Sequence, residues 1–389
     1  MALKRSTANG QQQQPVAVKA LYFINNKVPN QLVATEVHTD GQVGDPVFYP
    51  TGGDGSSIIH RDTGKDIPTD TLSTQDSVKR MGNNEPLRRS VLTPRLRQYL
   101  FACNAGSNTI STFKINPEYP TELHLFGDPV STIGDFPVTI AVSAKLGLVA
   151  VATAGIQNGL VVYNFDEHEG LCPDGLGVRP FGINQFNPPI FEGDGASDAF
   201  FSEDDKLLFV TVKGDTMNDP GFLSVYPIIG GNVAVKDVRS SPEGTHLLFG
   251  AFQIAGTRKL FVSDSQFGTV ILKIGDDDEG DTVAKTLLGR VLPVSKSAWV
   301  TNPVTNNLVE LDVETNAILS QTDITINKTK GMLDFVVPGN FLYALGAATD
   351  KEPSSMLVLD ISKGKVEQVQ NFVYDFGTGY RSQGLEYYA

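Results

Sequence analysis

Residues Ala102 to Ile115 read "ACNAGSNTISTFKI": a short apolar run, a turn over Gly106, Ser107 and Asn108, and a second run in which apolar and polar residues alternate. Similar phrases return as "VATAGIQNGLVVYNF" from Val151, "TVKGDTMNDPGFLSVYPI" from Thr211 and "VSDSQFGTVILKI" from Val262. Period-two alternation flanking a Gly/Asn/Asp turn marks a β-hairpin, because successive side chains of a strand point to opposite faces. A chain that writes the phrase again and again is a repeat of hairpins.

Working outward, seven apolar, β-branched anchor runs appear: "ALYFINN" at 20, "YLFACNAG" at 99, "GLVAVATAG" at 147, "LLFVTVKG" at 207, "KLFVSDSQ" at 259, "AWVTNPVT" at 298 and "FLYALGAA" at 341. Each is followed by a polar turn and a second run: "QLVATEV", "TISTFKI", "GLVVYNF", "FLSVYPI", "TVILKI", "NLVELDV" and "SMLVLDI". The later anchors recur near the about 40–50 residues that a four-stranded propeller blade occupies. No segment sustains helical periodicity, and 38 glycines and 22 prolines punctuate the 389 residues too often for long helices. The fold class is therefore all-β, a seven-bladed β-propeller, whose radial repetition leaves few open sheet edges. Residues 1–15 read as a disordered tail or propeptide remnant and 16–389 as one propeller domain, with a long Gly-, Thr- and Asp-rich loop insertion at about 45–94. Loops of that length are functional or disordered.

The gross numbers exclude several classes. A 40% hydrophobic and 19% charged composition suits a folded, globular chain. The net charge of −13 removes the overall basic footprint of a nucleic-acid binder. No run approaches the ~20 apolar residues of a membrane span. Two cysteines, Cys103 and Cys172, form neither a CxxC nor a zinc-ligand pattern, and a single disulfide or two buried thiols remain equal readings. Lys4-Arg5 before a polar tail looks like a dibasic cleavage site of a secreted precursor, or else a chance pair, and Asn327-Lys328-Thr329 is a glycosylation sequon compatible with export. The sequence implies no cofactor and no metal: "GDDDEGD" at 275–281 lacks the spacing of a calcium loop and reads as a solvated acidic turn.

The stretch "LFACNAGSNTISTFKINPEYPTELHLFGDPVSTIGDFPVTIAVS", Leu100 to Ser143, resembles the lactonase-type seven-bladed propellers, the group of bacterial 6-phosphogluconolactonase and fungal carboxymuconate cyclase. It is more similar to the fungal, often secreted, 3-carboxymuconate cyclase-like proteins. "YPTGGDGSS" at 49, "NPPIFEGDGASDAFFSEDDKLLFVTVKGD" at 187, "PGFLSVYPI" at 220 and "FLYALGAATD" at 341 extend the likeness over nearly the whole chain. The resemblance implies a small anionic or sugar-derived ligand at the mouth of the central channel, handled by His, Glu and Arg, in a monomer. It also implies a "PHPH"-like motif before "FFSEDDKLLFV", where this chain has "GASDAFF" without histidine.

Ring opening or closing of a lactone needs a proton donor, a base and a cation for the carboxylate. In "VRPFGINQFNPPIFEGDG", Arg179 is a candidate bidentate anion donor and Glu192 a candidate general acid or base, with Asp194 beside them; the alternative is a loop ion pair or turn caps. His246, before "LLFGAFQ", is the third catalytic candidate, and packing between blades is its alternative. For substrate binding, His60 and Arg61 in the insertion would close over the mouth, or lie on a surface loop. Trp299, the single tryptophan, would stack on a ring of the substrate, or pack between blades. Asp334 in "GMLDFVV" reads as a tie between adjacent blades. Two functions follow: a lactonase or cycloisomerase, or a secreted or surface binding protein that has lost the chemistry.

Overall fold

In the computed structural model, the described residues form seven antiparallel sheets, each with a path of four strands; in three of them a short fifth strand, Val130–Ser131, Arg179–Pro180 or Val238–Ser240, pairs beside the path. The structure describes residues 19–67, 70–82, 98–190, 193–214, 220–266, 268–275, 297–302, 305–315, 317–324, 331–348, 352–374 and 382–389, and the backbone of 280–286 and 291–294. From the channel outward, blade 2 holds Val78–Met81, Tyr99–Asn104, Thr109–Ile115 and Leu123–Leu125. Blade 3 holds Pro137–Ser143, Leu148–Thr153, Gly159–Asp166 and Gly170–Pro173, and blade 4 Gly195–Phe201, Leu207–Lys213, Phe222–Ile229 and Asn232–Val233. Blade 5 holds Leu248–Gln253, Lys259–Asp264, Gly268–Ile274 and Gly280–Thr286, and blade 6 Val291–Val294, Ser297–Asn302, Asn307–Asp312 and Ile318–Asp323. Blade 7 holds Met332–Val336, Phe341–Gly346, Ser355–Asp360 and Glu367–Val373.

Blade 1 closes the ring. Its outer three strands, Lys19–Ile24, Gln31–Val37 and Val43–Pro50, come from the start of the chain, and its inner strand, Gln383–Tyr388, from the end. The two ends pair antiparallel, Ala20 opposite Tyr388 and Ile24 opposite Gln383, so the last strand removes the edge that the first blade would otherwise expose. The described residues include no helix long and apolar enough to cross a membrane.

Each anchor run proves to be the second strand of its blade and each alternating run the third, so the repeated hairpin is the middle of the blade and not its innermost pair. The reason is burial. A second strand has strands on both sides and blades on both faces, so all six residues of Tyr99–Asn104 and of Leu148–Thr153 are buried and the run is continuously apolar. Inner strands such as "VKRM" and "GASDAFF" meet the channel, carry polar residues, and lack that signature.

The core is distributed between blades. Phe101, Val149 and Tyr163 cluster between blades 2 and 3, Phe209, Leu248 and Val262 between 4 and 5, and Trp299, Phe335 and Leu342 between 6 and 7. Tyrosines of three second strands pin their blades to the next: Tyr22 donates to Pro120 O at 2.6 Å, Tyr99 to Glu167 O at 3.3 Å and Tyr343 to Gly41 O at 2.8 Å. Each such bond is worth about 1 kcal/mol net, and more is lost if its buried partner is stranded.

Candidate functional site at the channel mouth

All seven inner strands begin at one end of the channel, where the chain passes from blade to blade. That end is occupied by the protein itself. The segment Asp70–Ser77, from the long stretch between the first two anchors, runs across it with every residue from Thr71 to Ser77 less than 5% exposed. It carries few large apolar groups, so hydrogen bonds hold it. Gln75 N and Thr74 Oγ1 both donate to Ser197 O of blade 4, at 2.7 and 2.6 Å. Gln75 Nε2 reaches Leu333 O of blade 7 at 3.2 Å. Cys103 N of blade 2 donates to Ser77 O, and Ile140 N of blade 3 to Asp76 O, both at 3.0 Å. With its amide oriented to satisfy both neighbours, Gln383 of blade 1 donates to Asp70 Oδ1 at 3.2 Å and accepts from Thr71 N at 3.3 Å. One eight-residue segment thus bonds to five blades.

The blade ends are shaped to receive it. Gly384 has φ +67°, and a Cβ there would lie 2.6 Å from Ser77 Oγ, so only glycine fits. Its N–H donates at 3.0 Å to Asp334 Oδ2, tying blade 1 to blade 7 as the sequence suggested for Asp334. Asp198 does the same between blades 4 and 5, accepting from Ala251 N at 2.8 Å.

Three charged groups meet under this segment. Lys213, 3% exposed at the end of the second strand of blade 4, donates to Ser73 O and, at 2.9 Å, to Ser73 Oγ. Its ammonium also sits 4.6 Å above the Phe249 ring centroid, a cation–π contact. Burial pushes the Asp70 carboxyl from 3.8 up to about 6; the Asp334 carboxylate adds to the rise, while the Lys213 ammonium and the bonds from Ser73 and Gln383 oppose it. Asp76, beside them, is paired with Lys79 at 2.5 Å. A carboxyl near neutrality, a second carboxylate and an ammonium are the parts of an acid–base site. The cavity beside it, bounded by Leu72, Ser73, Ala196 and Lys213, is about 10 Å³, room for about one water.

The residues singled out from sequence do not assemble here. Arg179, 2% exposed, is bound to Asp174 at 2.6 Å and to the carbonyls of Ala234 and Val233, so it staples the outer parts of blades 3 and 4 together. Arg179 thus lies at the blade periphery, away from the channel, which corrects its channel-facing reading, whereas the far end of its Pro- and Gly-rich loop, at Pro189, Gly193 and Asp194, reaches the mouth cavity. Glu192 lies outside the described residues. His246 is at the mouth end, but its main chain is what the fold uses: N–H to Asp264 Oδ2 at 2.7 Å, carbonyl to the amides of Gly214 and Gly221 at 2.9 and 3.0 Å. His60 and Arg61 form the tip of a small turn, closed by His60 N to Lys65 O at 2.8 Å, with Arg61 exposed and His60 partly so. Trp299, 5% exposed, packs with Met332 and Phe335 between blades 6 and 7, which corrects its stacking role to a core one. Cys103 and Cys172 are both free thiols, and burial raises the Cys103 pKa far above its ordinary value.

Sequence reasoning passed over Asp70, Ser73, Gln75 and Lys213. Lys213 had one visible signal, a lysine closing the apolar run "LLFVTVK". "DTLSTQDS" had none, because a buried segment held by hydrogen bonds looks like a solvated loop.

Among solved structures, the chain is similar to a candidate 6-phosphogluconolactonase from Bacteroides uniformis, with 12% identity, a TM-score of 0.63, and coverage of 95% of this chain and 99% of that one. A second candidate 6-phosphogluconolactonase, from Bacteroides fragilis, shares 12% identity at a TM-score of 0.61 over 99% and 100% of the two chains. AztD of Citrobacter koseri, in its apo form, follows at 11% identity and a TM-score of 0.51 over 96% and 98%. No protein-family model and no curated protein matches the sequence. At these identities the likeness concerns the fold: a seven-bladed propeller of the lactonase-like shape.

Proposed function

We propose that this lactonase-like propeller works as a non-catalytic binding protein, a monomer exported from the cell or held at its surface, and not as an enzyme of the central channel. The observation that carries the reading is the filled mouth: Asp70–Ser77 bonds to five blades across the end where a substrate would enter, and the cavity beside Lys213 is about 10 Å³. The replacement of a histidine pair by "GASDAFF" and the use of Arg179 as a staple between blades support it. Kinship with the fungal carboxymuconate cyclase-like branch belongs to this proposal and rests on the quoted sequence phrases. So does export, which rests on Lys4-Arg5 and the sequon at Asn327.

A second reading has its own observation. Asp70, with its carboxyl at about 6, faces Lys213 and Asp334, and would serve a lactonase or cycloisomerase acting on a small carboxylated or sugar-derived substrate if the segment swung out. Assays of the purified protein against a panel of sugar lactones and muconates separate the two. Binding without turnover is expected. Turnover that disappears in both Asp70→Asn and Lys213→Met would overturn the first reading and establish the second.

A further inference from the structure

A second cavity lies at the opposite end of the molecule from the mouth. It is a space of about 590 Å³ between blades 4 and 5, at the ends of their inner strands and the starts of their second strands. Leu207 in its wall and Lys213 at the mouth are opposite ends of one strand, roughly 20 Å apart at about 3.3 Å per residue. The volume is in the range of about 300–1,000 Å³ typical of small-molecule sites.

Its lining has two parts. The floor is apolar, built from Leu207, Phe209, Ile228 and Leu260. Among the described residues the rim carries Glu203, Asp204, Lys206 and Arg258, two carboxylates balanced by two cations. Glu203 and Arg258 are held by main-chain partners, while Asp204 and Lys206 pair at the surface. Glu203 Oε2 accepts from Gly256 N at 2.9 Å, Asp204 meets Lys206 at 3.1 Å, and an Arg258 Nη donates to Gly275 O at 2.6 Å. Gln253 is fixed at both ends of its amide, accepting from Glu203 N at 3.0 Å and donating to Thr257 O at 2.6 Å. Side chains fixed in advance lose little entropy when a ligand arrives.

We infer that this cavity is a binding site for a neutral saccharide of one to three rings. A charge-balanced rim gives no preference to an anion or a cation. It does present carboxylate and amide acceptors beside guanidinium and ammonium donors, and a carboxylate has about four acceptor positions of which Glu203 uses one in the bond named above. Hydroxyl groups, each donor and acceptor at once, match such a rim, and the C–H face of a sugar ring matches the apolar floor. The site stands whether or not the channel turns over a lactone, because the two lie at opposite ends of the blade.

The test is titration calorimetry of the full protein with neutral di- and trisaccharides (maltose, cellobiose, lactose, chitobiose and their trimers), with glucuronate and glucose 6-phosphate as charged probes. Expected is saturable binding of at least one neutral sugar, weakened about tenfold or more in Arg258→Ala and in Gln253→Ala, equivalent to about 1.4 kcal/mol. Affinity should be unchanged in Lys213→Met and should vary less than about twofold between low and high salt. Tryptic resistance and unfolding midpoint show whether each variant is folded; for one that is not, Leu207→Trp, which fills the cavity from its floor, replaces it. No binding of any neutral sugar, tighter binding of a charged probe, or neutral-sugar binding indifferent to the folded cavity variants would each overturn the inference.

Discussion

The two ends of blade 4 are opposites. At the mouth, Lys213 and Ser197 are buried under a segment of the same chain, both donate to protein acceptors, and the cavity beside Lys213 is only about 10 Å³. At the other end, Leu207 and Ser202 border about 590 Å³ with charged groups around it. The comparison teaches that, in a propeller, polar residues near the axis are no sign of a ligand site by themselves. At the mouth they replace the apolar packing that closes other parts of the fold, whereas at the far end they surround open volume.

From that contrast, substitutions at the mouth are expected to cost stability and those at the far end are not. The largest loss is expected for Gly384→Val, which forces a β-branched residue into φ +67° and sets a Cβ 2.6 Å from Ser77 Oγ. We expect about 3 kcal/mol or more, read from urea unfolding. Asp334→Ala strands the Gly384 amide and should cost about 1–3 kcal/mol in the same measurement.

A pH series sharpens the comparison further. The Asp70 carboxyl has its pKa raised from 3.8 to about 6, so between those values the folded chain holds a proton that the unfolded chain has released. Stability from this group is complete below 3.8 and is lost as pH rises through about 6. The wild type should therefore lose about 2 kcal/mol relative to Asp70→Asn between pH 4 and 7, with no further divergence above, measured as the difference in unfolding free energy. The smallest effect belongs to the far end. Lys206, 78% exposed at its side chain and paired only across the surface with Asp204, should change stability by less than about 0.5 kcal/mol on replacement by Ala.

How much of this was legible beforehand follows from the same physics. The all-β class and seven-blade arrangement could be read because second and third strands are packed on both faces and leave apolar runs in the sequence, as in "YLFACN" and "LVAVAT". The inner strands could not be placed that way, since "VKRM" and "GASDAFF" answer to the channel and to neighbouring blades. Asp334 was recognised as a tie because a lone acid opening an apolar strand needs a buried donor, and Gly384 N is that donor. Arg179 and Trp299 were misplaced for a shared reason. Their chemistry suits a ligand equally well, and only strand register decides that Arg179 meets Asp174 and Trp299 meets Phe335. The mouth segment was illegible because hydrogen bonds to five blades leave no periodicity along "DTLSTQDS".

The filled mouth is tested most directly by amide hydrogen exchange of the native protein. Gln75 N is bonded to Ser197 O, Cys103 N to Ser77 O and Ile140 N to Asp76 O. Expected is protection of all three amides comparable to that of Val149 and Val151 in the second strand of blade 3, since segment and blades would open together. Exchange of Gln75 at the rate of an exposed loop, with Val149 and Val151 still protected, would show a mouth that opens in solution and would contradict the binding-protein reading at its root.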